Sequence, residues 1–61
     1  MRAAAPSPGE IKALRRRARM SQADVAQLLG VTRMTIYNYE HGRTTMRPSM
    51  FGYMTVVCRE R

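Results

Sequence analysis

One glycine set between two capped apolar stripes constrains this chain more than any other feature. From Ser21 the sequence reads SQADVAQLLGVTRMTIYNYEHG, ending at Gly42. Ser21 can accept a backbone N–H at a helix start, and Asp24, three positions on, can return the bond as in a capping box. Val25, Leu28 and Leu29 recur at the three- and four-residue spacing that gathers side chains on one helix face, leaving Gln22 and Gln27 outside it. Gly30 stands just past the last apolar residue, where a left-handed cap costs least without a Cβ, and Val31 is expected to plug back under the turn. Thr32 offers a second N-cap. Ile36 and Tyr39 then form a buried stripe, with Arg33, Met34, Tyr37 and Asn38 on the opposite side. Ala26 carries only a methyl group where two steeply crossing helices need close backbone approach. The pattern predicts two short helices about one tight turn.

A chain of 61 residues makes one domain, and one that buries a modest fraction of its surface. Eleven Lys and Arg stand against four Asp and Glu, a formal charge of +7, so a polyanion is the default partner. No apolar run is long enough to span a bilayer and no signal-peptide core is present, which leaves the cytoplasm as the expected compartment. Cys58 is the one cysteine and His41 the one histidine, so no internal disulfide or cysteine zinc cluster can form and no metal site is expected. Cys58 reads as a small buried hydrophobe, with an intermolecular disulfide as the alternative. His41, beside Gly42 at a helix end, reads as a cap and dipole partner. No catalytic constellation remains to assemble, and no cofactor or small-molecule ligand is called for.

The stretch from Ser21 to Gly42 resembles the helix-turn-helix of the Cro and phage-repressor family, also called the XRE family. The resemblance runs from Glu10 to about Cys58. IKALRRRARM resembles the family's first helix, with Ile11, Leu14 and Ala18 inward; YEHG, a basic loop and Pro48 resemble the exit of helix three and the start of helix four. It implies an all-α, four-helix lambda-repressor-like domain over residues 10–61, with the family's fifth helix short or missing. The stretch MRAAAPSPG, residues 1–9, reads as a flexible lead; an arm following DNA with Arg2 is its less favoured alternative. In the family an arginine of helix one commonly pairs with the glutamate ending helix three, and the matching residues are Arg15 and Glu40. A carboxylate beside Tyr39 would be costly without such a bidentate partner.

The resemblance also assigns candidate contacts to double-stranded DNA. Arg33, in the first turn of the second motif helix, can bond guanine bidentately; a phosphate contact is its alternative. Met34 falls where relatives often carry a polar reader and can only pack on a thymine methyl or an apolar base edge. Asn38 can pair with adenine or remain a solvated amide, and Thr35 can bond a base or simply allow close approach. Tyr37 suits sugar or phosphate. Ser21 and Gln22 lie at a helix N-terminus, where free amides favour phosphate, and the family places a phosphate-contacting glutamine at Gln22. Arg43, Thr44, Thr45 and Arg47 supply donors from a loop one residue longer than in close relatives. Arg16, Arg17 and Arg19 either join this basic surface or form a solvated face.

Pro48 suits the first turn of a helix, and Met50, Phe51, Tyr53, Met54, Val56, Val57 and Cys58 cover more faces than one core can take. A dimer face of Met50, Tyr53, Met54 and Val57 is one reading of the surplus; a frayed last helix is the other. Together these features predict a dimeric regulator of transcription, a repressor by preference, on a palindromic operator. The alternatives are an antitoxin or mobile-element controller that needs a partner protein, and a protein-interaction module working through the apolar last helix.

Overall fold

The computed structural model describes residues 5–60, which form four helices and no strand: α1 (Pro8–Arg17), α2 (Gln22–Leu29), α3 (Arg33–Glu40) and α4 (Pro48–Arg59). Three of the four starts are written in side chains. Ser7 accepts the Glu10 N–H at 3.2 Å while Glu10 Oε1 accepts the Ser7 N–H at 2.8 Å, and Ser21 and Asp24 exchange the same pair at 3.0 Å each. Thr32 accepts from the Thr35 N–H at 3.2 Å. Arg47 caps α4 without a side-chain bond, and Pro48 fills the first turn, where its missing N–H costs nothing. The first helix thus begins at Pro8, inside the stretch read as a flexible lead, and Pro6 is buried. Arg2, the residue of the minor-groove arm, lies outside the described residues.

Three helices end in one and the same way. An amide two or three residues past the end reaches back five positions: Met20 to the Arg15 carbonyl at 3.2 Å, Val31 to Ala26 at 2.9 Å and Arg43 to Asn38 at 2.9 Å. The residue before each of those amides is left-handed, with φ 58° at Arg19, 73° at Gly30 and 74° at Gly42. This is the Schellman arrangement, which serves the orphan carbonyls of a helix end. Glycine adopts it freely; Arg19 adopts it against the clash of its own Cβ.

The core gathers Ile11 from α1, Val25 and Ala26 from α2, Ile36 from α3, Met54 and Cys58 from α4, and two methionines from the connections, Met20 and Met46. Leu14, Ala18, Leu28, Leu29, Val31, Tyr39, Met50 and Phe51 pack around it. Met20 follows the left-handed Arg19, and Met46 sits in the loop before α4 with none of its surface exposed. Each plugs one open side between helices, a role the unbranched thioether suits.

Met54 is equally enclosed, with no exposed surface, and this corrects its place in the candidate dimer face. It shares the inward side of α4 with Cys58, four residues on, and is spent on the core. Tyr53 at 54% and Val56 at 50% exposure are the large apolar side chains that α4 leaves in water, while Met50 and Val57 are half-buried.

Candidate nucleic-acid interface

The recognition surface is built on α3. Its N-cap Thr32 closes the first turn on Thr35, and its last residue Glu40 is tied to Arg15 of α1 and Gln22 of α2. Ile36 turns fully inward and packs α3 on the core, where Ala26 of the adjoining α2 is also buried, 4% exposed. The side chains one turn away from Ile36's face are left outside. Arg33 and Met34 are exposed, Met34 at 60%, while Thr35, Tyr37 and Asn38 are half-buried. Arg33 forms no hydrogen bond or ion pair among the described residues, so its guanidinium fork is available to a ligand. The Thr35 hydroxyl lies 3.0 Å from that of Thr32, which ties it to the helix start.

The far end of α3 carries a stack. The Tyr37 and His41 rings lie with centroids 4.0 Å apart, and the Arg43 guanidinium stands 6.0 Å from the Tyr37 centroid. A cation over an aromatic face is attracted by the ring quadrupole, so Arg43 is drawn back beside the helix instead of ranging freely. Its backbone is held too. The Asn38 carbonyl accepts from the amides of Arg43 at 2.9 Å and Thr44 at 3.4 Å. Met46 pins the loop four residues downstream of Gly42. Arg43, Thr44, Thr45 and Arg47 are exposed along this tethered loop.

The N-terminus of α2 meets the end of α3 through one carboxylate. Arg15 Nε donates to Glu40 Oε2 at 2.7 Å and Arg15 Nη2 to Glu40 Oε1 at 3.1 Å, a bidentate pair. Arg15 Nη1 also donates to the Met20 carbonyl at 2.9 Å, and the Gln22 amide donates to Glu40 Oε1 at 3.2 Å. Burial would raise the Glu40 pKa, but hydrogen bonds from Arg15 and Gln22, with the charges of Arg15 and Lys12, outweigh it and hold the carboxyl below its ordinary value of 4.5. The Gln22 side-chain nitrogen carries two N–H groups, so one can stay on Glu40 while the other remains for a ligand. Ser21 gives its own N–H to Asp24 and accepts the Asp24 N–H, so its hydroxyl is already in use as an acceptor.

Several contributors were not marked by sequence pattern. Met46 lies among charged and polar neighbours with no period to flag it, and Met20 sits between Arg19 and Ser21. The only signal was an apolar residue alone in a polar connection. The link from Gln22 to Glu40 joins residues 18 apart and carries no local signature. Among the described residues no cluster of His, Cys, Asp or Glu could hold a metal ion, and no helix is long and apolar enough to cross a membrane.

Two capped helices about a left-handed glycine, supported by a flanking helix on each side, define a helix-turn-helix domain. The sequence profile described as "Helix-turn-helix domain" matches residues 9–60, and the chain belongs to that family, whose domain is found in XRE-like DNA-binding proteins. No protein of curated function matches the chain in direct sequence comparison. A domain of this kind points to a DNA-binding regulator.

Proposed function

We propose that the protein is a sequence-specific transcriptional repressor that occupies a palindromic operator as a dimer, with α3 in the major groove. The observation that carries this reading is the outer face of α3. An unengaged Arg33 and an exposed Met34 stand about one turn before Asn38, on a helix whose last residue is tied to α1 and α2, and a basic loop is tethered behind it. The major groove admits one helix and presents a distinct donor and acceptor pattern for each base pair. Arg33 reads guanine, Asn38 reads adenine, Met34 packs on a thymine methyl, and Thr35 approaches the base edges between them. Gln22 with its second N–H, the α2 N-terminus at Ser21, Tyr37, Arg43, Thr44, Thr45 and Arg47 take phosphates on the two sides of the groove. Tyr53 and Val56, with Met50 and Val57 beside them, supply the apolar contact between two copies, placing two α3 helices on half-sites about one helical turn apart.

The test is selection of bound fragments from a random DNA pool at moderate salt, with the Arg33→Ala/Asn38→Ala double variant as control. A two-fold symmetric consensus that the control loses supports the reading. Binding that is unenriched, or that vanishes with modest salt, overturns operator recognition and favours a regulator that works through a partner protein.

A further inference from the structure

Two grooves on the described surface share one seam, between α1 and α4. One, of about 410 Å³, is lined by Leu14, Ala18, Thr55 and Cys58 with Arg17 and Arg59 at its rim. The other, of about 330 Å³, continues it past Ala13 and Phe51 to Glu10. Leu14 and Ala18, with Ala13 and Phe51 in the second groove, give the lining its apolar part, the first groove is as polar as it is apolar, and the Thr55 hydroxyl already donates to the Phe51 carbonyl at 2.9 Å. The seam has a polarity. Glu10 at one end is committed to the Ser7 amide, exposed Arg59 lines the groove at the other, and exposed Arg17 lines both. From Phe51 to Arg59 the helix rises about 12 Å, which is two turns of a docked helix.

We infer that this seam docks an acidic amphipathic helix of a partner protein, laying a short apolar stripe on Leu14, Ala18 and Thr55 and setting carboxylates against Arg17 and Arg59. Charge selects that occupant. A helix seated between two last-turn arginines gains from acidic flanks and is repelled by basic ones, and a second copy of a chain with formal charge +7 brings the wrong sign. The apolar strip of Tyr53 and Val56 does not line the seam. Helix-in-groove recognition needs only a few anchors at spacings of three, four and seven residues, which two turns provide. The inference is independent of the DNA reading, because none of the seam residues belongs to the proposed DNA contacts.

The experiment uses two synthetic helical peptides with one common leucine stripe, flanked by Glu in one and by Lys in the other, titrated into the isotope-labelled full chain. The Glu peptide should shift the amides of Leu14, Ala18, Thr55 and Cys58 saturably, and the Lys peptide should not. In the Arg17→Glu/Arg59→Glu variant the Glu peptide should weaken about tenfold and the Lys peptide should gain. Ala13→Glu, an exposed change at the opposite end of the seam, should weaken the Glu peptide alone and stands in if the double variant loses helix content. Three results would overturn the inference: equal binding of both peptides, shifts gathered on Arg33, Arg43 and Arg47, or the same shifts produced by raising the protein concentration without peptide. The first would mean a merely apolar surface, the second general attraction to the basic face, and the third a second copy in the seam.

Discussion

Arg15 and Glu40 lie 25 positions apart and meet in a two-pronged ion pair whose side chains are 14% and 3% exposed, so the end of α3 is riveted to the last turn of α1. The same carboxylate holds Gln22 at the start of α2. One acid therefore positions both ends of the proposed DNA-contacting surface.

Removing one partner should be far more damaging than a surface ion pair would suggest. Arg15→Ala leaves an enclosed carboxylate unpaired and should cost about 3 to 5 kcal/mol, enough to unfold much of a domain this small. Thermal melting followed by circular dichroism checks it. A loss within the range of an exposed pair, under about 1 kcal/mol, would show that the pair is dispensable.

Acid should act through Glu40. Its folded pKa lies below 4.5, so the unfolded chain takes up the proton first as pH falls. The stabilisation is fully present above the unfolded value and drains away as pH drops through the lower, folded one. Urea titrations from neutral pH downward should show a decline setting in below about 4.5. Glu40→Gln should be less stable at neutral pH and should flatten that decline; parallel profiles for the two proteins would assign acid sensitivity elsewhere.

Specificity and affinity should separate by residue. Arg33→Ala should cost about 1 to 3 kcal/mol on the preferred sequence and relax the preference at one position per half-site. Arg43→Ala should weaken all sequences alike and reduce the salt slope by about one. Fluorescence anisotropy over a salt series decides the matter, and equal losses by both variants on every sequence would refute this division of roles.

Backbone strain at Arg19 should be removable. Arg19→Gly relieves about 1 to 2 kcal/mol of left-handed strain against about 0.5 to 1 kcal/mol of extra chain entropy, so the melting temperature should rise by a few degrees. Gly30→Ala should do the opposite. A Cβ there would have nothing within 4 Å, so any loss would be conformational and not steric. A fall in melting temperature for Arg19→Gly would mean that the arginine side chain contributes more than its strain takes away.

The loop should depend on one buried side chain. Met46→Ala should cost about 2 to 5 kcal/mol through the cavity it leaves, whereas Thr45→Ala next to it, exposed, should be nearly neutral. Chemical denaturation of both variants distinguishes a pinned loop from a passive linker.

The elements that could be read in advance were those encoded within a few residues: the caps at Ser21 and Thr32, the turn at Gly30, the apolar stripe of Val25, Leu28 and Leu29, and the proline start of α4. The start of α1 was displaced because Ser7 and Glu10 form a capping box across Pro8 and Gly9, and two prolines in a small-residue stretch look like a break before they look like a cap. The excess of apolar residues on α4 was visible, but not which of them the core would take. Met54 and Tyr53 are neighbours in sequence and opposite in fate, because α1 and α2 pack against only one side of that helix.

By itself, then, the sequence determined the four helices, the glycine turn between α2 and α3 and the chain's own positive charge, because caps, periodicity and net charge act over one or two turns or over the whole chain. Only the tertiary structure decided that Met20 and Met46 complete the core, that Gln22 is held by Glu40, that Arg19 carries a left-handed backbone and that two arginines converge on the seam between α1 and α4. Those are relations between surfaces brought together by packing, and their partners lie too far apart along the chain for any local pattern to record them.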